Sequence, residues 1–222
     1  MNVLFIGNSF TYFNNMPEEI FRRIACENGD DVTVYSVTKG GARLERFLDE
    51  ADEYGERVSS LLREVTFDVA VLQEQSHTPI SDPDSFFTSV RDFSRLLRER
   101  GISPYLYSTW GYHPTKSQLS LYGADTEDME RRLRAAYTAI GGEVGATVCP
   151  VGAAMTYAFK HSTLDLYRPD GYHPEPCASV LAALVIYSVI SGKGIEDTVL
   201  PFDFITPEEK RQIKEAAAFA LR

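Results

Sequence analysis

Short apolar runs alternate with longer amphipathic stretches along nearly the whole chain. The short runs are rich in β-branched and aromatic residues, which favour strands, and they occupy residues 3–6, 32–37, 68–72, 104–107 and 146–149. The amphipathic stretches repeat their apolar residues at helical spacing. They predict helices over residues 16–28, 44–51, 54–64, 84–100, 126–140, 153–160, 175–191 and 207–221.

This alternation predicts an α/β fold. Strands that are apolar along most of their length are covered on both faces, as in parallel sheets with crossover helices. Five such strands within residues 3–149 predict an open three-layer α/β/α sandwich with a five-stranded parallel sheet. No repeat, low-complexity tract or linker interrupts the pattern, so we expect residues 1–222 to form a single domain.

Ligands in open parallel sheets bind beyond the carboxyl ends of the strands. The loops that follow the five predicted strands begin at Gly7, Thr38, Gln73, Ser108 and Pro150. We therefore expect the functional side chains in these loops.

Composition narrows the classes of partner. The 22 Lys and Arg residues against 32 Asp and Glu give a net charge of −10, and no basic run is present, so nucleic acid is not an expected partner. No apolar stretch is long enough for a membrane span, and the N-terminus lacks the basic region of a signal peptide. The three widely spaced cysteines, Cys26, Cys149 and Cys177, are typical of reduced residues. We expect a cytoplasmic protein that acts on a neutral or locally polar small molecule.

Ser9 lies at the abrupt end of the first predicted strand, in the sequence G-N-S-F-T. A serine at this place is either a helix N-cap or a nucleophile at the edge of the sheet. Gly7 permits a tight turn before it. The block differs from the G-x-S-x-G elbow of α/β-hydrolases, and it lies at the extreme N-terminus, which that fold does not use.

A serine nucleophile needs a general base, and the base needs an orienting group. Among the four histidines, His173 has a carboxylate three residues before it, Asp170, and Gly171 lies between them. In a turn, this spacing lets Asp170 reach Nδ1 of His173 and leaves Nε2 free to accept the serine proton. The alternative is that R-P-D-G-Y-H-P-E-P only leads the chain into the following helix.

Donors for a developing oxyanion are available after the second and third strands. Gly40 and Gly41 allow a backbone N–H group to approach a substrate closely, although two glycines also make an ordinary turn. The segment Q-E-Q-S offers the side-chain amides of Gln73 and Gln75, for which solvated loop positions are the alternative.

Together these blocks resemble the SGNH hydrolases, also called GDSL-type hydrolases. The shared features are a serine after the first strand, a glycine after the second, an amide after the third and D-x-x-H before the last long apolar helix, over about residues 3–190. The resemblance implies the flavodoxin-like α/β/α fold of that family and ester hydrolysis through an acyl-enzyme. It implies Ser9 as nucleophile, His173 as base and Asp170 as the acid that orients the base.

The resemblance also implies an oxyanion hole. Its backbone donors are expected from Ser9 and Gly41, with Gly40 as the alternative glycine. Two blocks depart from the family pattern: G-N-S replaces the usual G-D-S, and L-Q-E-Q-S replaces the usual G-x-N-D. Gln75 is therefore expected as the third donor, with Gln73 as its alternative. This pair of blocks is similar to an atypical bacterial subgroup of the family.

We expect a serine esterase, without a cofactor, that removes a small acyl group such as acetate from a carbohydrate or other small molecule. Trp110, together with Tyr112 and His113, is a candidate stacking wall for a sugar, and local packing is the alternative. Arg43 is either a contact for an acyl or acidic group or a solvated residue. The candidate substrate contacts are Gly40, Gln73, Arg43 and Trp110.

Three other functions stay open. The atypical third block is compatible with a catalytically silent SGNH-like binding protein. A nucleotide-binding protein would use the first loop for phosphate, but neither G-x-G-x-x-G nor the P-loop pattern is present. A metal hydrolase would use Glu74, His77, Asp82 and Asp170, whose spacing resembles no known ligand set, so no metal is expected.

Overall fold

The five predicted strands form one sheet in the computed structural model, which describes residues 1–222. The strands are β1 (Asn2–Gly7), β2 (Thr33–Thr38), β3 (Val69–Leu72), β4 (Ser103–Tyr107) and β5 (Thr147–Cys149). Their order in the sheet is β2-β1-β3-β4-β5, and every pairing is parallel. The predicted α/β class and the five-stranded parallel sheet are confirmed.

Helices cover both faces of the sheet. Successive side chains of β1 point to opposite faces, so Val3 and Phe5 enter one apolar core while Leu4 and Ile6 enter the other. This is the predicted three-layer arrangement. The helices are α1 (Ser9–Tyr12), α2 (Arg22–Glu27), α3 (Leu44–Leu48), α4 (Glu53–Glu64), α5 (Thr78–Ser81), α6 (Pro83–Arg98), α7 (Leu119–Tyr122), α8 (Thr126–Val144), α9 (Val151–His161), α10 (Pro176–Ser191) and α11 (Pro207–Ala220).

Helix α10 has no polar face because it lies inside the larger core. Every residue from Cys177 to Ser188 is buried. Helices α9 and α11 and the helical turn before α2 pack around it. The segment that carries His173 leads directly into this buried helix, so one end of that segment is held by the core. No helix of the structure is both long enough and apolar enough to cross a membrane.

The largest difference from the predicted elements lies directly after β1. The helix expected over residues 16–28 consists of a π-helical turn, Met16–Phe21, followed by α2. Asn14 and Asn15, before it, adopt left-handed φ angles of 57° and 52°, which asparagine tolerates. The Asn14 amide donates hydrogen bonds to the Pro174 carbonyl at 3.1 Å and to the Ser179 hydroxyl at 2.8 Å. This bend therefore joins the first loop to the start of α10.

Smaller differences concern helix ends and loops. The helix expected over residues 44–51 ends at Leu48, and the helix expected over residues 126–140 continues to Val144. Gly145 ends that helix with a φ of 67°, a left-handed conformation that favours glycine. The short helices α1, α5 and α7 lie in loops that follow β1, β3 and β4, at the edge of the sheet where the site was expected.

Candidate active site

Ser9 is the first residue of α1, directly beyond the carboxyl end of β1. The N-cap of this short helix is Asn8, whose side-chain oxygen accepts a hydrogen bond from the Phe10 N–H at 3.2 Å. The Asn8 amide also donates to the Ala42 carbonyl at 3.1 Å, which joins the loops after β1 and β2. Ser9 is therefore not the cap, and its hydroxyl stays available for other contacts.

The structure brings Ser9, His173 and Asp170 into one hydrogen-bonded relay. Nε2 of His173 lies 2.9 Å from the Ser9 hydroxyl oxygen. Nδ1 of His173 lies 2.6 Å from Oδ2 of Asp170. With the proton on Nδ1 donated to Asp170, Nε2 can accept the proton of Ser9, which is the geometry of an activated serine.

A tight turn holds the carboxylate against its histidine. Oδ1 of Asp170 accepts the backbone N–H groups of Tyr172 at 3.1 Å and His173 at 3.0 Å. Gly171 makes the turn with a φ of 78°. Burial raises the pKa of Asp170, but the hydrogen bonds from the His173 side chain and from these N–H groups outweigh it, so the pKa lies below its usual value. Asp170 is thus ionised at neutral pH.

Trp110 contacts the neighbour of Ser9 and the neighbour of His173, and its side chain is completely buried. Its ring is completely buried and stacks on Phe10, the neighbour of Ser9, at 4.3 Å between ring centres. Its indole N–H donates to the Tyr172 carbonyl at 3.0 Å. The prediction that Trp110 stacks on a sugar is wrong, because its ring is completely buried and its N–H already has a partner within the protein. His113 does not line the pocket around Ser9, whereas Tyr112 does.

Gln73 forms hydrogen bonds with residues on either side of Ser9 and does not line the pocket. It is 1% exposed, and its side-chain oxygen accepts the Asn8 N–H and the Thr11 hydroxyl, both at 2.9 Å. A Cβ atom at Gly7 would lie 2.7 Å from this oxygen, so the Gln73 contact requires glycine there. The prediction of Gln73 as a substrate contact is corrected by its burial.

Gln75 lines the pocket that contains Ser9. Its side-chain oxygen accepts the N–H groups of His77 and Thr78, both at 3.2 Å, and the Thr78 hydroxyl at 2.9 Å. These donors determine the orientation of the amide, because an N–H₂ group cannot accept hydrogen bonds from them. The amide nitrogen has only a 3.4 Å contact with the Ser76 hydroxyl, so it is free to donate to a substrate.

Gly40 and Gly41 also line this pocket. Gly41 has a φ of 70°, and a Cβ atom at Gly40 would lie 3.1 Å from the Tyr12 hydroxyl. Neither glycine N–H donates to another backbone group. The N–H of Ser9 belongs to the first turn of α1, where N–H groups have no partner within the helix. Backbone N–H donors without a backbone partner are therefore available in the pocket that contains Ser9.

Arg43 lies outside the pocket lining, where it forms an ion pair with Asp82 at 2.9 Å. Asp82 is the N-cap of α6 and accepts the Ser85 N–H. The ion pair joins the loop after β2 to the start of α6. The structure therefore gives Arg43 a partner within the protein, and the predicted contact with a substrate is corrected.

Glu74 is a completely buried acid that joins two loops of the site. Its carboxylate accepts the Gln75 N–H at 2.6 Å and the Leu44 N–H at 3.3 Å. Burial raises its pKa to about 7, although these hydrogen bonds and the charge of Arg43 oppose the change. The sequence analysis considered Glu74 only as a metal ligand. The available signal was a carboxylate directly after a buried strand, where an unpartnered charge is costly.

The residues of the metal hypothesis are not brought together. Asp82 pairs with Arg43, Asp170 with His173, and His77 lies 3.0 Å from the Ser81 hydroxyl. No group of three or more His, Cys, Asp or Glu side chains is placed to hold a metal ion.

The pocket around Ser9 has a volume of about 360 Å³. A hydroxyl beside an imidazole, with free N–H donors around it, can perform acyl transfer. Several lining residues were not selected from the sequence, because periodicity identifies a loop but not which of its side chains point inward. These residues are Tyr12, Ser76, Lys116, Gln118 and Tyr172.

Solved structures of other proteins share this architecture. A protein from Slackia heliotrinireducens that is classed as an SGNH hydrolase is 31% identical, with a TM-score of 0.76, over 86% of this chain and 98% of that chain. A DUF4886 family protein from Bacteroides uniformis has a TM-score of 0.85 at 20% identity, over 100% and 94% of the two chains. The acetyl xylan esterase AlAXEase has a TM-score of 0.60 at 12% identity, over 86% and 100%. No protein-family model and no curated protein matches the sequence.

The two more distant likenesses show the fold alone. The 31% identity to the SGNH hydrolase extends over nearly the whole of that protein, and the sheet of this chain has the architecture that the sequence blocks implied. The family resemblance stated from the sequence is confirmed: this chain belongs to the SGNH hydrolase family.

Proposed function

We propose that the protein is a serine esterase that hydrolyses a small acyl ester, such as an acetate, of a carbohydrate or another small polar molecule. The relay is the observation that carries this proposal. Ser9, His173 and Asp170 are joined at 2.9 and 2.6 Å, although Ser9 and His173 are 164 positions apart in the chain. Two contacts of this quality between groups of matched chemistry are the requirement for a serine nucleophile.

The first half of the reaction forms an acyl-enzyme. Ser9 attacks the ester carbonyl carbon while Nε2 of His173 takes its proton, and ionised Asp170 stabilises the imidazolium. The carbonyl oxygen becomes an oxyanion, which accepts hydrogen bonds from the N–H groups of Ser9 and Gly41 and from the Gln75 amide. The intermediate collapses when His173 gives its proton to the leaving alcohol, and the acyl group stays on Ser9.

The second half restores the serine. A water molecule takes the place of the alcohol, and His173 removes a proton from it as it attacks the acyl carbon. The second oxyanion uses the same donors. Collapse releases the carboxylic acid and returns the proton to Ser9, so that no other reactant is consumed.

The pocket favours a small polar substrate. Its volume of about 360 Å³ is near the lower end of the range for ligand sites. Its lining includes Tyr12, Tyr112, Tyr172 and Gln118, whose side chains carry hydroxyl and amide groups. Such a wall suits a polyhydroxylated alcohol better than a long acyl chain.

Covalent labelling tests the nucleophile directly. A fluorophosphonate should add to Ser9 in the wild-type protein, as located by peptide mass spectrometry, and Ser9→Ala should remove the label. Ser76→Ala is the matched control: Ser76 also lines the pocket, but its hydroxyl lies 2.7 Å from Tyr112 and has no histidine, so this variant should still be labelled.

A substrate panel tests the reaction. The wild-type protein should hydrolyse short p-nitrophenyl esters and acetylated sugars, and long-chain esters should react more slowly. A folded wild-type protein that neither takes the label nor hydrolyses any ester would contradict the proposal and support a catalytically silent binding protein.

A further inference from the structure

The pocket around Ser9 differs in charge from the other large cavities of the molecule. It is lined by Lys116 and by no Asp or Glu residue. Each of the four other sizeable cavities is lined by at least two carboxylates. In a chain of net charge −10, a cavity with a lysine and without acidic lining is an exception. This exception coincides with the site of the proposed chemistry.

Lys116 is held at the pocket wall without a carboxylate partner. Its side chain is half-buried and packs on the turn at Gly171, where an added Cβ atom would lie 3.2 Å from Cβ of Lys116. Its ammonium lies 3.9 Å from the centre of the Tyr172 ring, within the range of a cation–π contact. Lys160 and Lys193, in contrast, each form an ion pair, with Glu127 and Asp30.

The ammonium is close to the reacting groups. The Tyr172 ring lies 3.9 Å from the ammonium and 4.1 Å from the His173 ring, so the ammonium is at most about 8 Å from the imidazole. That imidazole contacts the Ser9 hydroxyl at 2.9 Å. Ser9 and Lys116 line the same pocket, so a substrate whose carbonyl carbon lies at Ser9 can extend to Lys116.

The nearby acidic groups, Asp170 and Glu74, do not pair with the Lys116 ammonium. The Asp170 carboxylate faces His173 and two backbone N–H groups, and Glu74 is buried with its oxygens bonded to backbone N–H groups. Neither residue lines the pocket. Among the neutral groups at the wall, His77 has its pKa lowered by burial and by the charge of Arg43, which keeps it uncharged at neutral pH.

We propose that Lys116 binds an anionic group of the substrate, so that the enzyme prefers esters with a carboxylate or phosphate that can reach this ammonium while the carbonyl carbon lies at Ser9. This inference rests on the proposed esterase function and specifies its substrate class. The overall negative charge of the protein repels anions at long range, so a local cation is needed to bind one. A charge-assisted hydrogen bond at a half-buried site is worth about a factor of ten or more in binding. The anion can belong to the acyl group or to the alcohol.

Two matched substrate pairs distinguish these positions. For the acyl side, the pair is mono-p-nitrophenyl adipate and p-nitrophenyl hexanoate, which differ in the terminal carboxylate. For the alcohol side, the pair is acetylated glucuronate and acetylated glucuronamide. We expect the wild-type enzyme to prefer the anionic member of at least one pair by about tenfold or more in kcat/KM, mainly through KM, and less at high salt.

Three variants connect this preference to Lys116. Lys116→Met should reduce the ratio of kcat/KM for the anionic substrate to kcat/KM for its neutral partner by about tenfold. Lys116→Arg should retain most of this ratio. Lys160→Met is the control, because Lys160 is also a partly exposed lysine but lies in a different cavity. Its ratio should equal that of the wild type.

The outcomes separate this inference from the proposed function. Ester hydrolysis without anion preference in either pair would overturn the role of Lys116 and leave the esterase intact. A preference that survives in Lys116→Met would also overturn it. Absence of all hydrolysis, together with absence of fluorophosphonate labelling, would overturn both proposals.

Discussion

The pocket around Ser9 and a larger groove around Cys177 are lined by neighbouring stretches of the same segment. The Ser9 pocket has a volume of about 360 Å³, and the Cys177 groove, with Phe202 and Phe204 in its wall, about 510 Å³. Each cavity contains a side chain that can act as a nucleophile. The smaller cavity has the groups that activate it, and the larger one does not.

The neighbours of the two side chains explain this difference. Ser9 faces the imidazole of His173, a base that can take its proton. The Cys177 thiol is buried and lies 3.8 Å from the Glu209 carboxylate. Burial first, and this charge second, raise its pKa to about 11. The thiol therefore stays protonated at neutral pH and is a poor nucleophile. The larger of these two cavities therefore lacks an activated nucleophile.

Removal of the base should have the largest effect. His173→Ala should lower kcat for ester hydrolysis by about 10⁴-fold or more, because Ser9 then has no proton acceptor. Asp170→Asn should lower kcat less, since it disturbs the charge and orientation of the imidazole but leaves the base in place. Steady-state kinetics on a short p-nitrophenyl ester, with circular dichroism to confirm folding, provides the measurement.

Cys177→Ser is the matched control from the larger groove. It changes a buried nucleophile atom but touches no part of the relay, so we expect kcat within about twofold of the wild type. A large loss of activity in Cys177→Ser, with little loss in His173→Ala, would reverse the comparison of the two cavities.

The two glutamines after β3 should show different effects. Gln75→Ala removes the free amide at the pocket wall, so kcat should fall by about 10²–10³-fold with little change in KM. It also removes the acceptor for the Thr78 N–H and hydroxyl, so the protein should lose stability as well, and only kcat identifies the oxyanion role. Gln73→Ala removes acceptors for the Asn8 N–H and the Thr11 hydroxyl, so the protein should lose roughly 1–3 kcal/mol of unfolding free energy. Kinetics and urea unfolding of both variants separate the two roles. An unchanged kcat in Gln75→Ala would leave only backbone donors in the oxyanion hole.

Glu74 should make stability depend on pH. Its pKa is about 7 in the folded protein against 4.5 ordinarily, so its contribution to stability is fully present below about pH 4.5 and is lost as the pH rises through 7. The full loss should be on the order of 3 kcal/mol. Glu74→Gln keeps a side-chain oxygen as acceptor but cannot ionise, so its unfolding free energy should change less between pH 5 and 8. Urea unfolding at both pH values tests this prediction. An equal change in unfolding free energy between pH 5 and pH 8 in the wild type and in Glu74→Gln would contradict it.

Most of the fold could be predicted because its signals are local. The apolar strands and the helix patterns depend on residues a few positions apart, and all five strands were located from them. The bend at Asn14 was missed because it depends on contacts with Pro174 and Ser179, about 160 positions away. A regular pattern over residues 16–28 carries no information about such contacts.

The candidate site divides in the same way. Asp170 and His173 are three positions apart, so their pairing within one turn could be anticipated from spacing and glycine chemistry. Trp110, Gln73 and Arg43 were expected at a substrate, but the structure shows them bonded to protein groups far away in sequence. Aromatic, amide and guanidinium groups serve either purpose, and their residue type does not distinguish a supporting role from a binding one.

The sequence by itself determined the order of the elements, the loops at the functional edge and the identity of the nucleophile, base and acid as candidates. Only the tertiary structure decided which polar side chains face the pocket and which are used inside the protein. The physical reason is that a buried polar group must find a partner, and that partner is chosen by three-dimensional packing. The Lys116 ammonium stays available for a ligand because it contacts the Tyr172 ring and no carboxylate. The Gln75 amide nitrogen stays available because its contact within the protein is a 3.4 Å distance to the Ser76 hydroxyl.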